Sequence, residues 1–166
     1  MKNLNKHRAW ILNNIYNFLI YWKYEKELHP VSKYQLDRMI RWYTEFCDEG
    51  KRTYNSVTRL KKYHKWTTAA IELIENDPNA KKNFGKLFTH EHIVPVKIII
   101  EKLRNLPDVF TQEDIYNVLE ETEVIVVTRT EDKILNESGF NSSGTRKERL
   151  SVLTPLHPLY KNNQLF

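Results

Sequence analysis

The residues best suited to chemistry lie in the run Thr89-His90-Glu91-His92-Ile93-Val94-Pro95. In an extended segment, side chains two apart share a face, so His90 and His92 point one way and Glu91 the other. Two imidazoles on one face suit a divalent metal ion, or a general base beside a second ligand. The spacing differs from that of the helical two-histidine zinc motif, which needs His at i and i+4. A structural reading stands beside the chemical one: one imidazole caps the following helix or bonds to backbone, and the other is exposed.

Within this run, Glu91-His92-Ile93-Val94-Pro95 resembles the first half of the HNH, or His-Me finger, endonuclease signature. In that signature an acidic residue or His precedes a His, two β-branched residues and Pro. The resemblance implies a ββα-metal fold, with His92 as the base that activates water for attack on a phosphodiester. It implies one divalent cation, Mg or Zn, held by Glu91 or His90 at the scissile phosphate. Such cleavage needs an activated nucleophile and positive charge at the developing oxyanion, which a base and a metal supply together. The family's second half brings Asn and then His or Asn on a helix soon afterwards. Here an apolar helix follows Pro95 at once, and the family's usual Cys pairs are absent. The tail from Leu153-Thr154-Pro155-Leu156-His157 to Lys161-Asn162-Asn163 is similar to the family's closing segment. That similarity implies His157 as a further catalytic residue and Asn163 as a metal ligand.

A second constellation is basic and interleaved with aromatics, from Lys51-Arg52-Thr53-Tyr54 to Arg59-Leu60-Lys61-Lys62-Tyr63-His64-Lys65-Trp66. On one continuous helix, Arg52, Arg59, Lys62 and Trp66 fall roughly along one side. There Arg52, Arg59, Lys61, Lys62 and Lys65 could hold phosphates while Trp66 stacks on a base. The plainer reading is a solvated helix face with Tyr63 and Trp66 partly in the core. Thr128-Arg129-Thr130-Glu131-Asp132 joins a strand to a helix and reads as a helix cap rather than an anion site, because its acids already complement the dipole. Arg146, Lys147 and Arg149 beside Gly144 offer a phosphate-facing loop or a polar surface loop. Cys47 lies on an apolar stripe and reads as a small buried hydrophobe.

These residues need elements to position them. Ile11, Ile15, Phe18 and Trp22 recur at helical spacing and predict a helix over 3–27. A second helix carries Leu36, Met39, Ile40, Tyr43, Phe46 and Cys47, with Ser32 as its N-cap and Gly50 near its end. A third is expected from Thr53 to Asn76, with an inner stripe of Val57, Leu60, His64, Thr67 or Thr68, Ile71 and Ile74. Beyond it, 87–94 reads as extended. Short helices are expected after Pro95 and after the cap Thr111. Glu123–Thr128 is the clearest strand, followed by a helix that Gly139 ends. The fold class is mainly α: an antiparallel, basic N-terminal helical bundle over 1–80, then a smaller α+β portion over 81–166 with one or two short strands. The two parts can share one core.

The 166 residues carry 26 Lys+Arg against 21 Asp+Glu, a net charge of +5. Split after Phe88, the first part has 17 against 9 and the second 9 against 12. A basic part beside a slightly acidic one predicts nucleic acid, or an acidic protein, as partner. One Cys excludes a disulfide framework, and no apolar run approaches a membrane span. The expectation is a cytoplasmic protein with no membrane partner. Trp10, Trp22, Trp42 and Trp66 could line a homodimer seam. Two functions remain in view. One is a metal-dependent phosphodiesterase built on His90-Glu91-His92. The other is a non-catalytic module, such as a small inhibitor of a nucleic-acid enzyme, that grips nucleic acid or an acidic protein.

Overall fold

The computed structural model describes residues 4–25 and 30–158. Helices α1 (Lys6–Glu25) and α2 (Pro30–Glu45) come first. A 3-10 turn (Thr53–Asn55) leads to α3 (Val57–Tyr63), β1 (Lys65–Trp66), α4 (Thr68–Asn76), α5 (Phe84–Leu87) and β2 (Phe88–His92). Then follow α6 (Val96–Arg104), α7 (Gln112–Leu119), β3 (Val124–Thr128), α8 (Arg129–Glu137) and α9 (Arg146–Ser151). The architecture is mainly α with a small sheet: nine helices and three strands among the described residues.

The chain forms two units, and neither is a continuous stretch. The helical unit takes the described residues up to Thr53 and returns for Pro95–Glu123. The sheet unit takes Tyr54–Val94 and the described residues from Val124 onward. The chain therefore passes between the units three times, after Thr53, after Val94 and after Glu123.

In the helical unit, Asn5 caps α1 by accepting from the backbone N–H groups of His7 (2.9 Å) and Arg8 (3.0 Å). Helix α2 begins at Pro30, so Ser32 lies inside it and is not its cap. Proline opens a helix cheaply because the N–H it lacks would have had no partner there. Helix α1 packs on α2 and α7, α2 on α6, and α6 on α7, which closes a ring of four. Ile15, Leu36, Ile40, Ile99, Leu103, Ile115 and Leu119 fill it with no measurable exposure. Each such side chain contributes about 1.5–3 kcal/mol of burial. Lys23 Nζ donates to the carbonyls of Leu106 (2.6 Å) and Pro107 (2.7 Å), fixing the α6–α7 turn against α1.

The sheet unit has strand order β1-β3-β2, with β1 parallel and β2 antiparallel to β3. All five β3 residues, Val124–Thr128, are buried, because helices cover both faces of this central strand. On one face Val126 packs with Trp66, Phe88, Leu60, Ile71 and Ile74. On the other, Ile125 and Val127 pack with Ile93, Leu135 and Leu153. The single helix expected over 53–76 is broken here. Ser56 caps α3 by accepting from Arg59 N–H, and Thr67 caps α4 by accepting from Ala70 N–H. Between them Lys65 and Trp66 pair with Ile125 and Val126. Sheet pairing and burial of the whole indole outweigh continuity of the helix. The bundle's remaining helices come instead from 95–123.

Candidate functional site

Strand β2 pairs with β3 in the register Phe88↔Thr128, His90↔Val126, Glu91↔Ile125 and His92↔Val124. Opposed residues share a face. His90 and His92 therefore stand on the side of Phe88 and Val126, and Glu91 stands on the side of Ile125. The pleat that aligns the two imidazoles separates both from the carboxylate.

His90 sits in a stack of rings. Tyr54, from the turn before α3, lies 3.8 Å away, centroid to centroid, at 11°. Phe84 of α5 lies at 5.7 Å and 30°. His64, just after α3, lies at 6.4 Å. The His90 Nε2 is buried and has no hydrogen-bond partner among the described residues. Burial first, and then the charges of His64 and Arg129, lower its pKa to about 4. At neutral pH His90 is an uncharged ring among rings, with little basicity to offer a reaction.

On the opposite face Glu91 meets Arg149, which is only 1% exposed. Its guanidinium donates to Glu91 Oε1 and to the carbonyls of Phe140 and Ser143, the last at 2.9 Å. Arg149 lies in α9, whose cap is Thr145, and not in a surface loop. Its charge is spent inside the protein, so it faces no phosphate. The close turn that permits this uses Gly144 at φ +85°, where a Cβ would come within 2.6 Å of the Phe140 ring.

The three residues expected to be catalytic do not converge. Glu91 is engaged by Arg149 across the sheet. His92 is buried, 6% exposed, at the end of β2. His157 donates its backbone N–H to the Trp66 carbonyl, so the tail lies along the outer edge of β1. Three strand spacings, about 14 Å, then separate its backbone from β2. Its influence falls on Glu75, held below the usual carboxylate range mainly by its hydrogen bond and charge contact with Lys61 and less by His157. Of the expected metal ligands, His90 and Glu91 face opposite ways and Asn163 lies outside the described residues. Among the described residues no three or more His, Cys, Asp or Glu side chains gather as a metal-binding group. The strand that pairs with β2 is β3, which follows α6 and α7 in the chain.

The expected nucleic-acid contacts also divide. Trp66 is completely buried and donates its indole N–H to the Leu60 carbonyl (3.2 Å), so it cannot stack on a base. Arg52 belongs to the helical unit and pairs with Glu45 (3.7 Å). Lys61 is paired with Glu75 (2.8 Å). Arg59 and Lys62 remain on α3, and Lys65 on β1.

Sequence reasoning missed the partners Tyr54, Phe84, Arg129 and Arg149. Alternation along Phe88-Thr89-His90-Glu91-His92 was the available signal, since it places His90 on the face of Phe88. The capping reading of the 128–132 junction holds at Glu131, but the contacts of Glu131 beyond its own helix were not read. This carboxylate, 4% exposed, caps α8 from within the Thr128 capping box. It also accepts from Thr67 Oγ1 (2.8 Å), Thr154 N–H (3.2 Å) and Thr154 Oγ1 (2.5 Å). One side chain thus ties the starts of α4 and α8 to the tail. No helix among the described residues is long and apolar enough to cross a membrane. Comparison with known proteins finds no matching family model, no matching curated protein and no matching solved structure.

Proposed function

We propose that this chain is a non-catalytic nucleic-acid-binding protein whose sheet unit grips the phosphate backbone. The observation that carries the reading is the division of charge by unit. The described residues of the helical unit hold 11 Lys+Arg against 12 Asp+Glu, and those of the sheet unit hold 12 against 8. The described residues of the sheet unit are net +4, and their exposed cations include Lys62, Lys86, Arg129, Lys133 and Lys147. Cations in such excess displace counterions from phosphates, and that release drives sequence-independent binding. His90, Glu91 and His92, the residues with the strongest chemical signature, are occupied in packing and ion pairing.

The test is the salt dependence of binding to a 20-base-pair duplex, DNA and RNA. Log affinity is expected to fall steeply with log salt. The slope should shrink by about 1 for each phosphate-contacting cation removed, as in Lys62→Glu and Lys86→Glu. Affinity indifferent to salt overturns the phosphate grip. Cleavage of the same duplex with Mg, Mn, Ni or Zn, abolished in His92→Ala, overturns the non-catalytic part.

A further inference from the structure

The helical unit carries an open groove of about 520 Å³ between α1 and α2. Its walls include Trp10 and Asn14 from α1, and Tyr34, Gln35, Arg38 and Trp42 from α2. Both helices have already filled their inner stripes, with Ile11, Ile15 and Leu19 on α1 and Leu36, Ile40 and Tyr43 on α2. The groove residues form a second stripe on each helix, at spacings of four: 10 and 14 on one, 34, 38 and 42 on the other. Packing within the chain leaves Trp10 60% and Tyr34 64% exposed.

The chemistry of the lining selects an occupant. Flat rings face the groove, Arg38 lies over the Trp42 ring at 5.6 Å, and no acidic side chain lines it among the described residues. Asn14 is anchored by its Nδ2 on the Trp10 carbonyl (2.7 Å), which fixes an amide at the wall. Gln35 supplies a second. Stacking surfaces, edge-reading amides and a cation are what an unpaired nucleobase and its phosphate require. A second copy of the chain fits less well. A two-fold interface would bring the same face from both copies together, so the exposed cations Arg38 and Lys33 would be doubled with no acid of the described groove lining to offset them.

The geometry points to this groove as a binding site for a single-stranded nucleic-acid segment, with bases stacked on Trp10 and Tyr34 and a phosphate held by Arg38. The polymer's identity rests on the proposed nucleic-acid function; the groove itself needs none of the sheet unit's cations. The experiment titrates a fluorescently labelled (dT)8 and reads anisotropy at 0.15 M salt. Trp10→Ala and Tyr34→Ala should each weaken binding by about tenfold, the order of one lost base–aromatic stack. Trp10→Phe should keep most of the affinity, since a phenyl face still stacks. Both side chains are largely exposed, so the variants should keep the wild-type circular dichroism spectrum. Unchanged (dT)8 affinity in Trp10→Ala and Tyr34→Ala overturns the site, as does equal displacement of (dT)8 by an octaglutamate peptide. A wild-type dimer that Trp10→Ala converts to a monomer also overturns it. The two readings fail separately. Trp10-dependent (dT)8 binding without duplex binding removes the phosphate grip and leaves the groove. Salt-sensitive duplex binding with no Trp10 dependence for (dT)8 does the reverse.

Discussion

A protein that buries a neutral imidazole should lose stability when acid forces a proton onto it, and His90 allows the size of that loss to be worked out. Its pKa is pushed down to about 4, first by burial and then by the charges of His64 and Arg129. Among the described residues, Tyr54, His64, Phe84 and Arg129 face it, and none of these four is an acid that would welcome the proton. In the unfolded chain the same imidazole titrates near 6.5. Between these values the unfolded state holds a proton that the folded state refuses, so unfolding takes up a proton and stability rises with pH. The contribution is complete above about 6.5, declines as pH falls, and is gone below about 4. At about 1.4 kcal/mol per pH unit, the whole interval is worth about 3 kcal/mol.

The assay is urea unfolding followed by circular dichroism at half-unit steps from pH 3.5 to 8, for wild type and His90→Phe. The phenyl ring keeps the stack between Tyr54 and Phe84 and has no proton to gain. The wild-type curve should fall below that of the variant by about 3 kcal/mol more at pH 4 than at pH 7. The His90 ring resonances, followed by NMR, should not titrate until well below pH 6. Parallel stability curves, or a His90 titration near 6.5, would refute the burial argument and return His90 to the role of an accessible base.

Other perturbations test the opposite face of the sheet. Arg149→Ala strands Glu91 and removes a donor from the Phe140 and Ser143 carbonyls, and should cost about 3–5 kcal/mol in thermal or urea unfolding. The double variant Glu91→Leu/Arg149→Met should recover part of that loss, because no unpaired charge is left inside. Gly139 and Gly144 both adopt positive φ, at 80° and 85°, but only a Cβ at Gly144 meets a neighbour, Phe140. Gly139→Ala should therefore show the backbone strain alone, about 1–2 kcal/mol, and Gly144→Ala measurably more in the same melt.

What the sequence revealed depended on how far each interaction reaches along the chain. Thr111 and Thr128 announce their helices because a cap and its acid lie three residues apart. Strand β3 is legible as a β-branched run, and β2 as an alternation. The break at Lys65-Trp66 was not legible. Val57, Leu60, Ile71 and Ile74 stay in helical phase across it, and the strand exists only because Ile125 and Val126 arrive from sixty residues away. The same holds for His90-Glu91-His92. The pleat told which side chains share a face. It could not tell that Tyr54 and Phe84 would close over His90, or that Arg149 would occupy Glu91.

The charge of the sheet unit follows from those inward-facing groups and bears on how strongly it should hold phosphate. Counted along the sequence, the basic run 51–66 looks like one cationic face. Folding sends Arg52 to Glu45, Lys61 to Glu75 and Trp66 to the core, so the run yields less surface than its composition suggests. The unit nevertheless remains basic, because folding also withdraws its acids. Glu131 is buried among threonines and Glu91 is neutralised by Arg149, the one buried cation among the twelve in the unit's described residues. Six acids are then left facing eleven cations outside, an excess larger than the plain count of 8 against 12 provides. Breaking the internal pair by Arg149→Met should leave Glu91 as an added negative charge and weaken duplex binding at low salt, although Arg149 touches no phosphate. Glu91→Leu/Arg149→Met should restore that binding. Duplex affinity unchanged in both variants, with the fold intact, would mean that the sheet unit's net charge is not what attracts nucleic acid.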